Sequence, residues 1–369
     1  VYGIADRAWQ PLIGCNEDLP CAAHCWAKRT ANRLGHAHSP EVREAHEGLV
    51  RIMPYRSGDA KLLEWTGVVR LNELRLLDPL GWRQPAVVAT GYHGDIALLS
   101  DKDKKWVFAV EALCPHLRFI HLTKRPRELW EYFREPRARM TEIFRAAMEI
   151  GKLSGALVAA VLGEEGRVNP PDNWWFGISA EDQPRLDERA PWLMRLAGAG
   201  WNTWLSAEPL VGPMNMTRVN HTVYLREQLV DFARWDVERT GKSVQEAVAR
   251  AAESVTDQVP AGEKPYINLL TGEWFDGWDT GNNGPKLGLV VVGGESGPGA
   301  RACRIEWIEN IIEQCRAAGT PCFVKQLGAY PVWAGAKCSP LQPGKGKNHN
   351  PLVWPLSLRV QEMPEGLRV

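Results

Sequence analysis

Leu289-Val290-Val291-Val292-Gly293-Gly294-Glu295-Ser296 is an unbroken apolar run that stops at two glycines, a carboxylate and a hydroxyl. A strand with one face in water alternates apolar and polar residues. A continuous run is that of a strand covered on both faces, as in a parallel sheet. A helical pattern from Trp307 to Ala318 follows, and then a second apolar run, Cys322-Phe323-Val324-Lys325. Strand, polar end, helix and strand make the repeating unit of an α/β fold.

The same order recurs toward the N-terminus. Ala86–Thr90, Phe119–Thr123, Trp174–Ser179 and Thr203–Ser206 read as strands. Helical patterns cover Val107 to Cys114, Glu128 to Phe133, Met140 to Leu162 and Arg185 to Leu196. Polar residues follow each strand: Gly94-Asp95, Lys124-Arg125, Ser179-Ala180-Glu181-Asp182, Glu208-Pro209, Gly293-Gly294-Glu295-Ser296 and Lys325-Gln326. Taken singly, each is an ordinary turn or cap, and Ser179 and Ser296 read equally well as helix caps. Together they predict a partial or full parallel (β/α) barrel over residues 1–330, with a shared pocket at one rim. Residues 214–286 read as an insertion in that barrel. Its charged helical pattern runs from His221 to Val255, and a Gly-, Asn- and aromatic-rich stretch that could act as a lid runs from Thr256 to Pro285. Residues 331–369 read as an irregular tail.

Composition bounds the function. The chain has 369 residues, 44% of them hydrophobic, and Lys+Arg equals Asp+Glu at 44 each. There is a full core but no global positive field for nucleic acid. No apolar run is long enough to cross a membrane, and no signal-peptide pattern opens the chain. A reducing, cytoplasmic setting is expected, where clustered cysteines mean metal or catalysis rather than disulfides. Five of the eight cysteines are scattered: Cys114, Cys303, Cys315, Cys322 and Cys338 read as small core residues.

The other three share one loop: Cys15, Cys21 and Cys25, separated by five and three residues. Three thiolates can hold three corners of a [4Fe–4S] cluster and leave one iron open for chemistry. They could instead join His24, His36 or His38 in a closed Cys3His zinc site, although paired short zinc spacings are absent. Gly293-Gly294-Glu295-Ser296-Gly297 lacks a Walker lysine and the dinucleotide fingerprint. A basic stretch (Lys124, Arg125, Arg127, Arg134, Arg137, Arg139) interleaved with Trp130, Tyr132 and Phe133 reads either as a nucleic-acid grip or as a solvated helix face over a buried aromatic side.

In these runs the chain resembles a phage-associated three-cysteine-motif family, a domain of unknown function with a likeness to radical S-adenosylmethionine (radical SAM) proteins. The resemblance runs through Ala8-Trp9-Gln10-Pro11 with Gly14-Cys15, Leu122-Thr123-Lys124-Arg125-Pro126, and Trp175-Phe176-Gly177-Ile178-Ser179-Ala180-Glu181-Asp182. It continues through Ser206-Ala207-Glu208-Pro209 and Val292-Gly293-Gly294-Glu295-Ser296-Gly297-Pro298-Gly299-Ala300-Arg301, then Phe323-Val324-Lys325-Gln326. The chain departs from that family twice. The family's shorter second gap would put the middle cysteine where Ala22 stands, and Gly91-Tyr92-His93-Gly94-Asp95 replaces a Ser-Met-Ser-Asp-like run.

The resemblance implies a radical SAM barrel with a [4Fe–4S] cluster on Cys15, Cys21 and Cys25, and S-adenosylmethionine (SAM) as cofactor. Asp95, Ser179, Glu181, Glu208, Gly293, Gly294, Glu295 and Ser296 would bind that cofactor. Lys124, Glu181, Glu208, Glu295 and Lys325 would be the catalytic or charged substrate contacts. An external one-electron reductant is implied. So is a nucleotide or DNA substrate whose base is modified or rearranged, for instance a substituted thymine in phage DNA within a host cytoplasm. A non-catalytic nucleic-acid- or protein-binding barrel with structural zinc is the competing expectation.

Overall fold

The computed structural model describes residues 3–19, 21–22, 25–53, 62–163, 168–220, 265–275, 280–297, 299–333, 336–337 and 346–369. Seven strands form the main sheet: β1 (Arg7–Trp9), β2 (Ala86–Thr90), β3 (Leu117–Thr123), β4 (Trp174–Ser179), β5 (Asn202–Ala207), β6 (Leu289–Gly293) and β7 (Cys322–Gln326). Their order in the sheet is their order in the chain. Parallel registers join β1 to β2, β2 to β3, β5 to β6 and β6 to β7. A sequential parallel order is that of a (β/α) barrel, whereas a doubly wound sheet reverses at a switch point. The order has two ends, β1 and β7, so it matches the partial form of the barrel and not the closed one.

Every residue of β2, β4 and β6 is buried, as their unbroken apolar runs require. Among the described helices are α1 (Trp26–Leu34), α2 (Asp101–Ala112), α3 (Pro126–Phe133), α4 (Pro136–Ile150), α5 (Gly155–Leu162), α6 (Gln183–Gly198) and α7 (Ile305–Ala318). The chain divides into two compact units, Val1–Gly177 with Glu365–Val369, and Ile178–Pro364. In the first, Phe108 packs against Tyr132, Phe133, Trp174 and Phe176 at centroid distances of 5.2 to 6.1 Å. In the second, Gly319 at φ 68° caps the C-terminal end of α7 between β6 and β7.

The structure bears on four of these readings. Met140 to Leu162 is two helices, because Gly151 takes an extended conformation and Ser154 restarts the helix by accepting the Leu157 N–H at 3.4 Å. Neither Ser179 nor Ser296 caps a helix: Asp182 caps α6, and α7 begins at Ile305 after Arg304. The tail is not merely irregular. Val324 N–H donates to Val360 O (2.8 Å) and Glu362 N–H to Cys322 O (2.9 Å), so the tail covers the free edge of β7. The basic stretch follows its bland reading. Tyr132 and Phe133 are core residues, and Arg139 lies 4.1 Å over the Tyr132 ring and pairs with Asp101 and Glu142. Arg127 pairs with Glu131.

The predicted insertion is described only at its margins. There Val219–Asn220, Tyr266–Ile267, Trp274–Phe275 and Thr280–Gly281 form an antiparallel meander. The helical pattern of His221 to Val255 lies outside the described residues. No described helix is long and apolar enough to cross a membrane.

Candidate functional site

In the first unit the cysteine loop is fixed at its start. Gly14 has φ 102°, and a Cβ there would lie 2.1 Å from the Val68 carbonyl oxygen, so only glycine fits. Gly14 bridges in parallel to Gly94, which has no room for a Cβ beside Gly14 O. This contact sets Cys15 beside Asp95. Burial and then the Asp95 charge push the Cys15 thiol up to about 12, opposed by a hydrogen bond from the Asn16 backbone and with smaller contributions from Cys25 and Cys21. Cys15 and Cys25 also pack on one small core of Ile13, Ala27, Ala31, Leu49 and Trp65. Cys25 precedes α1 but its thiol caps nothing.

Asp95 is buried and already engaged. Its Oδ1 accepts from Thr123 Oγ1 (2.6 Å) and from Ala97 N–H (3.1 Å), and its Oδ2 from Lys124 N–H (3.0 Å). It ties the end of β2 to the end of β3. Arg125 is equally committed. Its guanidinium is buried, donates to Asp18 through both terminal nitrogens, and donates to Asn16 Oδ1 at 2.5 Å. Asn16 and Asp18 both lie between Cys15 and Cys21, so Arg125 staples the loop to the end of β3. Arg125 holds the Asp18 carboxyl below its ordinary range. Glu17 is tied separately, to Lys28 and to the Trp65 N–H (2.5 Å).

The ligand set itself is not closed. Among the described residues, no three His, Cys, Asp or Glu side chains stand close enough to hold a metal ion. Thiols are the donors an iron–sulfur cluster takes, and metal sites commonly assemble only with their metal. The zinc histidines fit less well. His36 bonds to Asn32 O (2.8 Å) beyond the far end of α1, whose nine residues span about 13 Å. His24 lies outside the described residues.

In the second unit, Glu208 after β5 accepts from Lys325 Nζ of β7 at 3.0 Å and from Ser206 Oγ at 3.3 Å, both through Oε2. Its Oε1 is buried with no hydrogen-bond partner among the described residues. Ser179 Oγ donates to Glu208 O (2.8 Å). Gly293 leaves the space that the Glu208 carboxylate fills: a Cβ there would meet Oε1 at 2.5 Å. Gly294 likewise admits the Leu327 carbonyl. Both glycines therefore make room for protein atoms, not for a ligand backbone contact. Glu181 pairs with the buried Arg189 (2.9 Å), which also donates to Ser179 O (2.6 Å). Glu295 accepts from the Arg301 backbone and guanidinium at 2.8 to 3.1 Å, closing its own loop, and Ser296 is exposed. Of these sequence-predicted residues, Ser179, Glu208, Gly293 and Lys325 meet in one cluster, while Glu181 and Glu295 each serve a local ion pair.

Sequence reasoning missed the staple role of Arg125, because an ion-pair partner 107 positions away leaves no local mark, and it missed the buried Arg189, whose partner Glu181 stands only eight positions before it. Glycine immediately before Cys15 was the available signal for the strained turn. One outcome follows for Asp95. Asp95→Asn removes a negative charge beside Cys15, so the thiol's pKa falls and its alkylation by iodoacetamide at pH 8 speeds up severalfold. An unchanged rate measured by mass spectrometry would mean that burial alone holds the thiol neutral.

The family model described as "Protein of unknown function (DUF5131)" matches residues 3–351. No curated protein and no solved structure gives a match.

Proposed function

The chain belongs to this family of unknown function, DUF5131, and from that premise we propose that it is a radical SAM enzyme acting on a nucleobase. The observation that supports the reading is the cysteine loop: Cys15, Cys21 and Cys25 share one short segment that Arg125 pins to the end of β3. Cys15, Cys21 and Cys25 would hold a [4Fe–4S] cluster. Bound there, the cluster supplies the electron that cleaves SAM and starts hydrogen abstraction from substrate.

The chain's own residues have distinct tasks. Burial first, and the Asp95 charge second, disfavour the Cys15 thiolate, and a bound cation would reverse that balance. Arg125 fixes the segment between Cys15 and Cys21 through Asp18 and Asn16. Glu208 offers the buried, unpartnered Oε1 to a hydroxyl or ammonium of a bound ligand, and Lys325 orients that carboxylate through Oε2. A buried acceptor with no donor is costly unless a ligand supplies one.

Anaerobic reconstitution with iron and sulfide, followed by incubation with SAM and dithionite, tests the reading. The expected result is a brown protein that makes 5′-deoxyadenosine, with both colour and product lost in Cys21→Ala. A colourless protein carrying one equivalent of zinc would overturn it.

A further inference from the structure

The basic stretch after β3 is spent on internal contacts, yet another aromatic and basic surface stands beside the cysteines. α1 reads Trp26-Ala27-Lys28-Arg29-Thr30-Ala31-Asn32-Arg33-Leu34 and contains no acidic residue. Ala27, Lys28 and Ala31 are buried, and Lys28 is taken by Glu17. Trp26, Arg29 and Arg33 are exposed. Positions i, i+3 and i+7 share one helix face, so an indole and two guanidiniums line up along it.

Trp26 is 57% exposed, which is unusual for so large an apolar ring. It is not loose. Its ring lies near-parallel to Tyr92 (16°, centroids 6.4 Å apart) and edge-on to His93 at 5.4 Å, and Tyr92 and His93 pack at 4.6 Å. Tyr92 and His93 come from the loop after β2 that departs from the family pattern. Burial, with His46 and Arg33 nearby, brings His93 down to about 4, so this ring is neutral at physiological pH. The result is a rigid three-ring platform with an uncovered indole, next to Cys25 and followed by two cations. Arg33 forms no ion pair with a described residue, and Arg29 none either.

We infer that the exposed face of α1, with Tyr92 and His93, is a binding track for single-stranded nucleic acid: a base stacks on Trp26 and the backbone phosphates run along Arg29 and Arg33. The chemistry is that of sequence-tolerant single-strand binders, which pair aromatic stacking with a line of positive charge. A duplex hides its base faces and cannot use the indole. The track also accounts for a chain with no net charge, because only a local stripe is needed. The inference deepens the proposed nucleobase chemistry and rests on it for the strand's role as substrate, but binding itself needs neither cluster nor SAM.

The test is fluorescence anisotropy of labelled oligo(dT) with the whole chain purified without cluster, across a salt series. Wild type is expected to bind, and more tightly than it binds duplex of equal length. Trp26→Ala should weaken binding about tenfold without changing the salt slope. Arg29→Ala with Arg33→Ala should flatten the log–log salt slope by about 0.7 per arginine. Arg145→Ala, an exposed cation on α4, should do neither. Trp26→Phe should recover part of the loss, which separates stacking from a folding defect. No binding at low salt, or equal affinities for wild type, Trp26→Ala and the double arginine variant, would overturn the inference. A protein that binds the strand through Trp26 but never yields 5′-deoxyadenosine would keep the track and remove the radical reading.

Discussion

Gly14→Ala should destabilise the first unit by about 3 kcal/mol or more, read as a fall in the urea midpoint. Two costs combine. The φ of 102° is a region that side chains rarely enter, and the new Cβ would sit 2.1 Å from the Val68 carbonyl oxygen, a backbone atom that cannot swing aside. A control separates them. Gly67 has φ 87° with nothing within 4 Å, so Gly67→Ala carries the backbone cost alone, about 1 kcal/mol. Gly81 has neither problem, and Gly81→Ala should be neutral or slightly stabilising because it restricts the unfolded chain. Equal losses for Gly14→Ala and Gly67→Ala would show that the Val68 backbone yields and that the Gly14–Gly94 contact does not set the position of Cys15.

Arg125→Ala should release the cysteine loop. It leaves the Arg125 pocket empty and removes the charged hydrogen bonds to Asp18 and Asn16, a loss of about 2 kcal/mol, since Asp18 is itself half in water. The larger consequence is local. Iron and sulfide uptake should drop about tenfold, in line with loss of a residue that orients metal ligands. Alkylation of Cys15 should quicken as its burial loosens. Arg125→Lys should rescue little, because an ammonium cannot present the planar fork that engages both residues. The effect also has a pH signature. Asp18 has a depressed folded pKa, so its pairing contributes above the ordinary aspartate range and is lost as pH falls through the folded value. The difference between wild type and Arg125→Ala should therefore shrink in acid. Cys15 works at the other end. Its folded pKa near 12 exceeds the ordinary thiol value of 9.0, so its contribution is full below 9 and is lost as pH rises from there toward 12. Identical alkylation rates and metal uptake in wild type and Arg125→Ala would remove the staple from the account.

Residue order by itself determined the chemistry-bearing frame. The runs Ala86–Thr90, Trp174–Ser179 and Leu289–Gly293 carry apolar residues on both faces until their polar or glycine ends, a pattern that suits a parallel strand buried on both faces. Their polar followers and the intervening helices were legible for the same local reason. The three-residue strand β1 was not. Arg7 and Ala8 carry no apolar run, and only pairing with Val88 and Ala89 makes them a strand. Tertiary structure also decided which charges were available. Glu181 and Glu295 were spent on Arg189 and Arg301, Arg125 on a loop 107 positions away, and Glu208 was left with one oxygen unanswered. Backbone pattern is set by neighbours in sequence, whereas the partner of a charge is set by which distant side chains the fold brings within about 3 Å, and a linear reading holds no measure of that distance.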